Sequence, residues 1–309
     1  MVVEDTVPKQ TSEQWEDLTQ LLDKFQNIFS QNKYDVLLES LLRIFSGIQS
    51  VYILLRPKKG VSPQERKKEI LSRTIFNELR KANPNVFEKI HVVEGDVSLP
   101  NMGMSEEDLL KITEHVTIVF HCAASINFFK PFRYIFTNNV VGVNNAIELC
   151  KKLKNRCQAL VDTSTSYVNC NHDLILEERI YGTPYPAERF MEYYEKEDDK
   201  ALEQLRSEIK PDFPNHYVFC KYISENLILE KCTDIPSAII RPSLISSAWK
   251  GPLPGYAEIQ SSMAQFTLGV SKGFVKVAFA DPEGNLEIIP VDIVVNAHIV
   301  AAYSVSIGR

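Results

Sequence analysis

The sequence predicts an α/β fold built on a doubly wound parallel sheet. Two observations carry this prediction: short apolar runs rich in β-branched and aromatic residues recur along the chain, and segments with helical spacing separate most of them. This alternation is typical of βαβ units, whose strands are parallel. With 309 residues, of which 44% are hydrophobic, the chain is long enough to bury a large core.

Five strands and several helices are expected. In chain order the strands lie in SVYILLRPKKG, KIHVVEGD, TIVFHCAAS, QALVDTSTSYV and PSAIIRPS. Helical spacing of apolar residues from Ser12 to Phe45 predicts that helix precedes the first of these strands. A charged helix is expected from Pro63 to Lys81, and YEKEDDKALEQLRSEIK is expected to form a charge-rich helix with a solvated face.

The composition argues against several classes of partner. The formal net charge of -6 gives the chain no general attraction for nucleic acid or anionic lipid. No run approaches the ~20 apolar residues that span a bilayer, and the N-terminal residues lack the apolar region of a signal peptide, so we expect a soluble protein. Six cysteines without a C-x-x-C pair or a zinc-like cluster predict free thiols in a reducing, intracellular compartment and no bound metal.

Tyr217 and Lys221 are the first candidates for chemistry. They lie in HYVFCKYISENLI, where a helix would place both side chains on one face. A phenol has a reference pKa of about 10, and a nearby ammonium stabilises the phenolate left after proton transfer, so the pair suits general acid catalysis. The alternative is an ordinary contact on a helix surface, because a chain with twelve tyrosines readily contains a chance Y-x-x-x-K.

A cluster of hydroxyls, Ser164, Thr165 and Ser166, follows the strand in QALVDTSTSYV. Ligands of open parallel sheets bind beyond the carboxyl ends of the strands, so a hydroxyl here can polarise a substrate carbonyl. Capping or turn chemistry suits Ser and Thr equally well and stays open as the alternative. A strand that ends in hydroxyl residues and is followed along the chain by a helical Y-x-x-x-K is a rarer combination than either feature alone. This combination favours an enzyme.

Several blocks of the sequence resemble the alcohol-forming fatty acyl-CoA reductases, which belong to the extended short-chain dehydrogenases/reductases and have a Rossmann-like fold. These blocks are LLRPKKG, HVVEGDVSLPNMGMS, FHCAASINF, NNVVGVNNAIELC, DTSTSYVNCN and IIRPSLISSAWKGPLPGY. The resemblance places the reductase domain at residues 36–309, after an atypical helical segment at residues 1–35. It implies NADPH as cofactor, a long-chain fatty acyl-CoA as substrate, and a primary fatty alcohol and free CoA as products.

The resemblance also implies catalytic roles. Tyr217 would be the general acid, and Lys221 would be its electrostatic partner and an anchor for the cofactor ribose. Thr165 would orient the substrate carbonyl, with Ser164 as the neighbouring alternative. Asn139 would support a proton relay.

Cofactor contacts follow from the same resemblance. Arg56 closes the strand where an acidic residue would select NAD, and it resembles the arginine that binds the ribose 2′-phosphate, so NADP is expected. For Asp96 and for Ala123 to Ser125 the alternatives are a turn and ordinary packing, and for Arg241 the alternative is a purely structural role. The other implied contacts are Asp96, Val97, Ala123, Ala124, Ser125, Lys221, Arg241, Pro242 and Ser243.

The sequence departs from the family on its N-terminal side. The glycine-rich turn of the family aligns with NIFSQNKY, Asn27 to Tyr34, which contains no glycine. Those glycines let the backbone approach a pyrophosphate, so reduced dinucleotide affinity is expected. The sheet is also expected to lack its usual first strand, which would leave the neighbouring strands with unpaired edges. A divergent cofactor-poor relative, a spliced or wrongly assembled N-terminus, and an unfamiliar turn are alternative explanations.

Three functions remain open at this point. The leading one is an NADPH-dependent acyl-CoA reductase, and the second is a catalytically silent relative that binds acyl-CoA or a protein partner. The third is a sugar-nucleotide or hydroxysteroid dehydrogenase, against which the W-x-x-P-x-P-G-Y block argues. The C-terminal helical domain of the family is not expected in this sequence, and the resemblance implies the cytosolic face of the endoplasmic reticulum or peroxisome. Neither the acyl-chain length nor the oligomeric state is indicated.

Overall fold

The structure, a computed structural model, describes residues 32–154, 157–172, 176–209, 213–257, 262–278, 281 and 283–308. The helices are α1 (Asn32–Ile44), α2 (Pro63–Leu71), α3 (Asn77–Ala82), α4 (Glu106–His115), α5 (Phe132–Phe136), α6 (Gly142–Lys152), α7 (Ala187–Glu195), α8 (Asp199–Ile209), α9 (His216–Lys231), α10 (Ser262–Ser271) and α11 (Val291–Ser306). The strands are β1 (Val51–Leu55), β2 (Ile90–Glu94), β3 (Ile118–His121), β4 (Ala159–Thr163), β5 (Ser237–Ile240), β6 (Leu244–Ser246) and β7 (Ile288–Pro290).

All strand pairs in the described residues are parallel. β1 pairs with β2, β4 lies between β3 and β5, and β6 pairs with β7. The five predicted strands are therefore present, and the prediction of an α/β fold with parallel strands is confirmed. β6 and β7 were not predicted, because three residues are too few to give a periodicity signal.

A large cavity separates β1 from β3. Its volume is about 1530 Å³, and every residue of both strands lines it. Within the described part of the chain, no strand precedes α1 and none pairs with the second edge of β1 or of β3. The usual first strand would precede α1, so the expectation that it is lacking concerns residues 1–31 and lies outside the described residues. The helix expected from Ser12 agrees with α1 from Asn32 onward, and its earlier part lies outside the described residues.

Two of the helix predictions were wrong in extent. The helix expected from Pro63 to Lys81 is interrupted between α2 and α3, where Arg73 is extended and a 3₁₀ turn, Thr74–Phe76, follows. This interruption buries Ile75 and Phe76 completely against α1, which a continuous surface helix would not do.

The charge-rich stretch is also interrupted. α7 ends at Glu195 and α8 begins at Asp199, with Glu197 between them at a φ of 55°. The expected solvated face is opposed by an apolar face, on which Leu202 and Leu205 are buried in the main core. The helix is thus amphipathic, although its many charged residues make the spacing of the apolar residues hard to recognise in the sequence.

The main core lies between the sheet of β3, β4 and β5 and the helices α5 to α9. Its centre contains Phe219 of α9, whose ring contacts those of Phe132, Phe190 and Phe213 at centroid distances of 5.8, 5.9 and 5.5 Å. Edge-to-face contacts of this kind fix the position of α9 against α5 and α7. α9 carries Tyr217 and Lys221, so this packing positions the candidate site.

We expect the substitution Phe219→Ala to lower the free energy of unfolding by about 3–5 kcal/mol, because it leaves a cavity among three aromatic rings. Urea-induced unfolding followed by circular dichroism measures this loss. The matched control is Phe129→Ala, whose side chain is 78% exposed and whose cost we expect to stay within about 0.5 kcal/mol. Equal costs for the two variants would contradict this assignment of the core.

Candidate functional site

α9 brings the predicted tyrosine and lysine to the carboxyl end of β4. The helix begins after Asn215, whose side-chain oxygen accepts the backbone N–H of Val218 at 2.9 Å and so caps the first turn. One turn further on, the Lys221 ammonium donates to the carbonyl of Thr163 at 2.5 Å, and the lysine is 1% exposed. A buried ammonium needs such bonds, because burial of an unpaired charge is costly.

Tyr217 is half-buried and its ring makes an edge contact with Phe128 at 5.8 Å. Burial raises the pKa of the Tyr217 phenol above its ordinary value, while the charge of Lys221 acts to lower it and that of Asp162 to raise it. The tyrosine is therefore protonated at neutral pH and close enough to Lys221 for the two to interact electrostatically. This arrangement is compatible with the role of proton donor.

The structure separates the two candidate hydroxyls. The Thr165 side chain accepts the backbone N–H of Tyr167 at 3.4 Å and caps a 3₁₀ turn, Ser166–Asn169, which is the capping role left open by the sequence. The Ser164 hydroxyl is buried and has no hydrogen-bond partner among the described residues. Ser164 and Ser166, whose hydroxyl likewise has no partner among the described residues, can both bond to a ligand, and the bond that Thr165 accepts does not use its own O–H.

Two buried polar residues beside this site were missed by the sequence analysis. His121 at the end of β3 is directly opposite Asp162 of β4 in the sheet register, and both are buried. Neither the Nε2 atom of His121 nor the Asp162 carboxylate has a hydrogen-bond partner among the described residues. Burial and the charge of Lys221 lower the pKa of His121 to about 4, against the opposing effect of Asp162. The available signal was an aspartate inside an otherwise apolar strand.

Asn139 lies in a π-helical turn, Thr137–Val141, between α5 and α6. Its side chain accepts the backbone N–H of Ser125 at 2.7 Å and donates to the Ser125 carbonyl at 3.0 Å. The backbone carbonyl of Asn139 accepts the Ser224 hydroxyl at 3.2 Å. Asn139 therefore fixes the segment that follows β3, and its implied part in a proton relay stays a prediction.

A group of cationic side chains follows β1. Arg56 donates to the Asp96 carboxylate, which follows β2, at 3.0 Å, and Arg66 donates to the Arg56 carbonyl at 2.6 Å. Burial opposes ionisation of Asp96, but bonds from Ser98 and Arg56 outweigh it and hold the pKa of that carboxyl below its ordinary value. Burial and the neighbouring Arg66, Arg56 and Lys59 lower the pKa of Lys58, as expected where cations crowd together.

Six of the implied cofactor contacts line the large cavity. Arg56, Asp96, Val97, Ala123, Ala124 and Ser125 all line it, together with Lys58, Lys59 and Arg66. These residues lie beyond the carboxyl ends of β1, β2 and β3, where ligands of parallel sheets bind. The cationic side chains fit a phosphate on the ribose. The cavity continues from this end into the space between β1 and β3.

Arg241 follows β5 and forms a two-pronged ion pair with the buried Glu225 of α9. Its Nε and Nη2 atoms donate to the two carboxylate oxygens at 2.9 and 2.5 Å, and Nη2 also donates to the Arg179 carbonyl at 2.8 Å. The carbonyl of the next residue, Pro242, accepts the backbone N–H of Ser166 at 3.0 Å. These bonds serve the structural role that the sequence left as the alternative for Arg241.

The predicted site residues fall into two groups. One group lines the large cavity and consists of Arg56, Asp96, Val97, Ala123, Ala124 and Ser125. The other group does not line it and contains Tyr217, Lys221, Ser164, Thr165, Arg241, Pro242 and Ser243. Phe128 connects the two groups, because its neighbour Asn127 lines the cavity and its own ring contacts Tyr217. The roles implied for these residues remain predictions.

Two further properties concern the described residues as a whole. They contain no group of three or more His, Cys, Asp or Glu side chains arranged to hold a metal ion. None of the helices within this part of the chain is long and apolar enough to cross a membrane.

The parallel α/β arrangement and the polar residues beyond the strand ends define a Rossmann-like domain with a candidate ligand site at one edge of its sheet. A family profile described as Male sterility protein matches residues 35–298. Among curated proteins, fatty acyl-CoA reductase 1 of Pongo abelii is 33% identical over 274 residues, which are 89% of this chain and 53% of that protein. The human protein of the same name is 32% identical over 274 residues, again covering 89% and 53%.

The chain therefore belongs to the male sterility protein family, which is also that of the fatty acyl-CoA reductases. It spans about half the length of these relatives. Among solved structures, the terminal R domain from the myxalamid PKS-NRPS biosynthetic pathway aligns with a TM-score of 0.63 and 22% identity over 86% of this chain and 58% of that one. This likeness supports the fold, and the family resemblance found in the sequence is confirmed.

The low pKa of His121 predicts a pH dependence of stability. The unfolded histidine has a pKa of about 6.5 and the folded one about 4, so the unfolded state binds more protons between these values. Stability contributed by neutral His121 is present above pH 6.5 and falls as the pH drops towards 4. We expect wild type to lose about 2 kcal/mol more than His121→Gln between pH 7 and pH 5, measured by urea unfolding.

The exposed His115→Gln variant controls for the removal of an imidazole from a site without burial. It should reproduce the wild-type loss of stability between the two pH values. If His121→Gln loses as much stability as wild type over this range, the histidine is not held neutral by the fold.

Proposed function

We propose that this chain is a reductase domain that uses NADPH to reduce a long-chain fatty acyl-CoA to the primary fatty alcohol with release of free CoA. The observation that carries the proposal is the bond of Lys221 to the Thr163 carbonyl, which places the helix of Tyr217 beside the strand end with the unpartnered Ser164 hydroxyl, in a chain of this family. Tyr217, Lys221 and Ser164 are a proton donor, a cation and a hydroxyl beside a strand end. The names of the relatives supply the substrate class.

In this proposal the Ser164 hydroxyl donates to the thioester carbonyl and orients it. Thr165, the residue favoured by the family resemblance, caps the turn that follows by accepting the backbone N–H of Tyr167, and its own O–H can still donate beside Ser164. Tyr217 donates the proton to the carbonyl oxygen, and the Lys221 ammonium stabilises the phenolate that remains. NADPH, when bound, would supply a hydride, and two NADPH molecules would be consumed in two rounds. In the first round the C–S bond breaks and the CoA thiolate leaves, which gives the aldehyde; the second round reduces the aldehyde to the alcohol.

The cofactor proposal depends on the cationic group after β1. The Arg66 side chain donates to the backbone carbonyl of Arg56, and both arginines are close enough to Lys58 to lower its pKa. A phosphate on the ribose would therefore meet several positive charges. Asp96 holds Arg56 in position. The residues present therefore fit the adenosine end of NADP, and the arginine fork suits a phosphate better than a neutral ribose hydroxyl.

A second function is favoured by one specific observation. The cavity between β1 and β3 has no strand along it in the described part of the chain, and a sheet interrupted there supports the pyrophosphate of a dinucleotide poorly. A catalytically silent relative would bind acyl-CoA without binding NADPH. Calorimetry of the 309-residue chain with palmitoyl-CoA and with NADPH, using NADH for comparison, distinguishes the two functions.

We expect Tyr217→Phe to lower the rate of palmitoyl-CoA reduction by at least 100-fold, because no other residue is proposed as the acid. NADPH consumption and the alcohol product are measured together, and NADPH affinity should stay within twofold. Tyr222→Phe on the same helix is the matched control, since that phenol donates to the Gly182 carbonyl at 2.7 Å, and it should keep most of the activity. Retained reduction by Tyr217→Phe would exclude the proposed acid.

We expect Arg56→Ala to weaken NADPH binding by at least tenfold, with little effect on NADH, because the guanidinium would contact only the 2′-phosphate. Calorimetry with both cofactors gives this ratio. Arg80→Ala, which removes a cation bonded to Asn77 and the Leu71 carbonyl away from the cavity, is the control. A loss of equal size for both cofactors in Arg56→Ala would contradict the role in 2′-phosphate recognition.

A further inference from the structure

We propose that Asp162 is the counter-ion of the Lys221 ammonium and, through it, a positioning residue for Tyr217. Tyr217 and Lys221 are the groups to which the proposed function assigns proton transfer, so the catalytic part of this inference rests on that function. The pairing of the two charges does not, since it follows from strand geometry, burial and the ion pairs of the described residues.

The Asp162 side chain points to the side of the sheet that α9 covers. The next residue, Thr163, points to the other side, where its hydroxyl bonds to the ring of His298 on α11 at 2.7 Å. Successive side chains of a strand point to opposite faces, so Asp162 points away from α11. Leu160, two residues earlier on the same face as Asp162, packs in the main core together with α9.

The Lys221 ammonium reaches the same place from α9. It donates to the carbonyl of Thr163, the residue that follows Asp162, at 2.5 Å. Asp162 and Lys221 are each 1% exposed, and both charges act on the buried ring of His121. The Asp162 oxygens have no hydrogen-bond partner among the described residues, so the two charges attract each other across a gap that excludes bulk water.

The other buried charged side chains in the described part of the chain already have partners. The ion pairs are Asp35 with Arg73, Glu39 with Arg43, Arg206 with Glu203 and Glu225 with Arg241, and Asp292 accepts three backbone N–H groups. Asp162 and Lys221 remain, and their charges are opposite. A buried charge is costly unless it is paired, so each of the two is the available counter-ion of the other.

The remaining neighbours of Asp162 do not supply a positive charge. His121 lies opposite it on β3, and burial lowers the pKa of this histidine to about 4, so the ring is neutral at neutral pH. On the other side, Ile239 of β5 is apolar. Cys220 precedes Lys221 on α9, and burial raises the pKa of its thiol, which stays neutral as well. Lys221 is therefore the cation that faces Asp162 within the described residues.

Tyr217 lies one turn before Lys221 and is affected by both charges. Burial has the largest effect on its phenol and raises the pKa; Lys221 lowers it, and Asp162 raises it. An ammonium without a counter-ion would draw the phenol towards its ionised form, whereas a carboxylate beside the ammonium limits this effect. Asp162 thus extends to higher pH the range in which Tyr217 holds the proton that it donates.

A double-mutant cycle on the 309-residue chain tests the pairing. The variants are Asp162→Asn, Lys221→Met and the two combined, and urea unfolding gives the unfolding equilibrium constant of each. We expect the two losses to couple by at least about fivefold in this constant, because removal of one charge leaves the other buried alone. The matched control combines Lys221→Met with Asp35→Asn, an equally buried carboxylate that pairs with Arg73, and should be additive.

Titration of the phenol tests the effect on Tyr217. Trifluorotyrosine, incorporated in place of Tyr217, has a more acidic phenol that titrates where the chain is folded, and its fluorine NMR resonance reports the ionisation. We expect Asp162→Asn to lower the pKa of this phenol by at least about 0.5 pH unit, since a nearby negative charge is removed. Asp234→Asn, which removes an exposed carboxylate beyond the end of α9, should leave this pKa unchanged.

Neither measurement uses NADPH or acyl-CoA, so a chain that fails to reduce a thioester would contradict the proposed function and leave the pairing standing. If Asp162→Asn alone does not fold, the double variant with Lys221→Met should fold, because no unpaired charge then stays buried. Additive losses in the Asp162 cycle, an unchanged titration in Asp162→Asn, or a double variant less stable than both single ones would each overturn the pairing.

Discussion

The bond from the Lys221 ammonium to the Thr163 carbonyl is the contact on which the candidate site depends. It joins α9 to the end of β4 in a place without solvent, and it fixes the distance between the helix that carries Tyr217 and the strand end that carries Ser164. A buried ammonium without this partner would be costly. Further along the same helix, Ser224 and Glu225 are buried as well, and each of them also has a hydrogen-bond partner.

Asp162 and His121 add a second constraint to the same place. They are opposite each other in neighbouring strands, buried, and without hydrogen-bond partners in the described residues. Unsatisfied buried groups of this kind are rare, and they concentrate where a ligand or ordered water completes the site. The charges of Asp162 and Lys221 act in opposite directions on Tyr217: Asp162 raises the pKa of the phenol, and Lys221 lowers it. Burial has the largest effect on the phenol and raises its pKa, so the positive charge of Lys221 partly offsets it.

The sequence block that best marks the family also has a structural explanation. The Asp292 carboxylate, at the start of α11, accepts the backbone N–H groups of Trp249, Lys250 and Gly251 at 2.9, 2.8 and 3.2 Å. Burial opposes its ionisation, but these three bonds prevail and hold the pKa of Asp292 below its ordinary value. The W-x-x-P-x-P-G-Y block is thus a loop anchored to the last helix. The block therefore has a structural role, because it holds this loop against α11.

Local sequence determined the regular elements of this protein. The β-branched runs were sufficient to locate β1 to β5, because strand formation in a parallel sheet depends on short, continuous apolar segments. The spacing of Tyr217 and Lys221 placed them on one helix face for the same local reason. Motif resemblance identified the family, since its blocks are contiguous in sequence.

Tertiary structure decided the properties that depend on residues far apart in the chain. Thr165 became a cap and Ser164 was left without a partner because of the path of the chain after β4, and Arg241 was directed to Glu225 by the packing of α9 against β5. The pairing of His121 with Asp162 required the register of two strands. The cavity lined by α1, β1 and β3 likewise depends on how segments far apart in the chain are arranged. Such contacts join separate segments, so no local pattern specifies them.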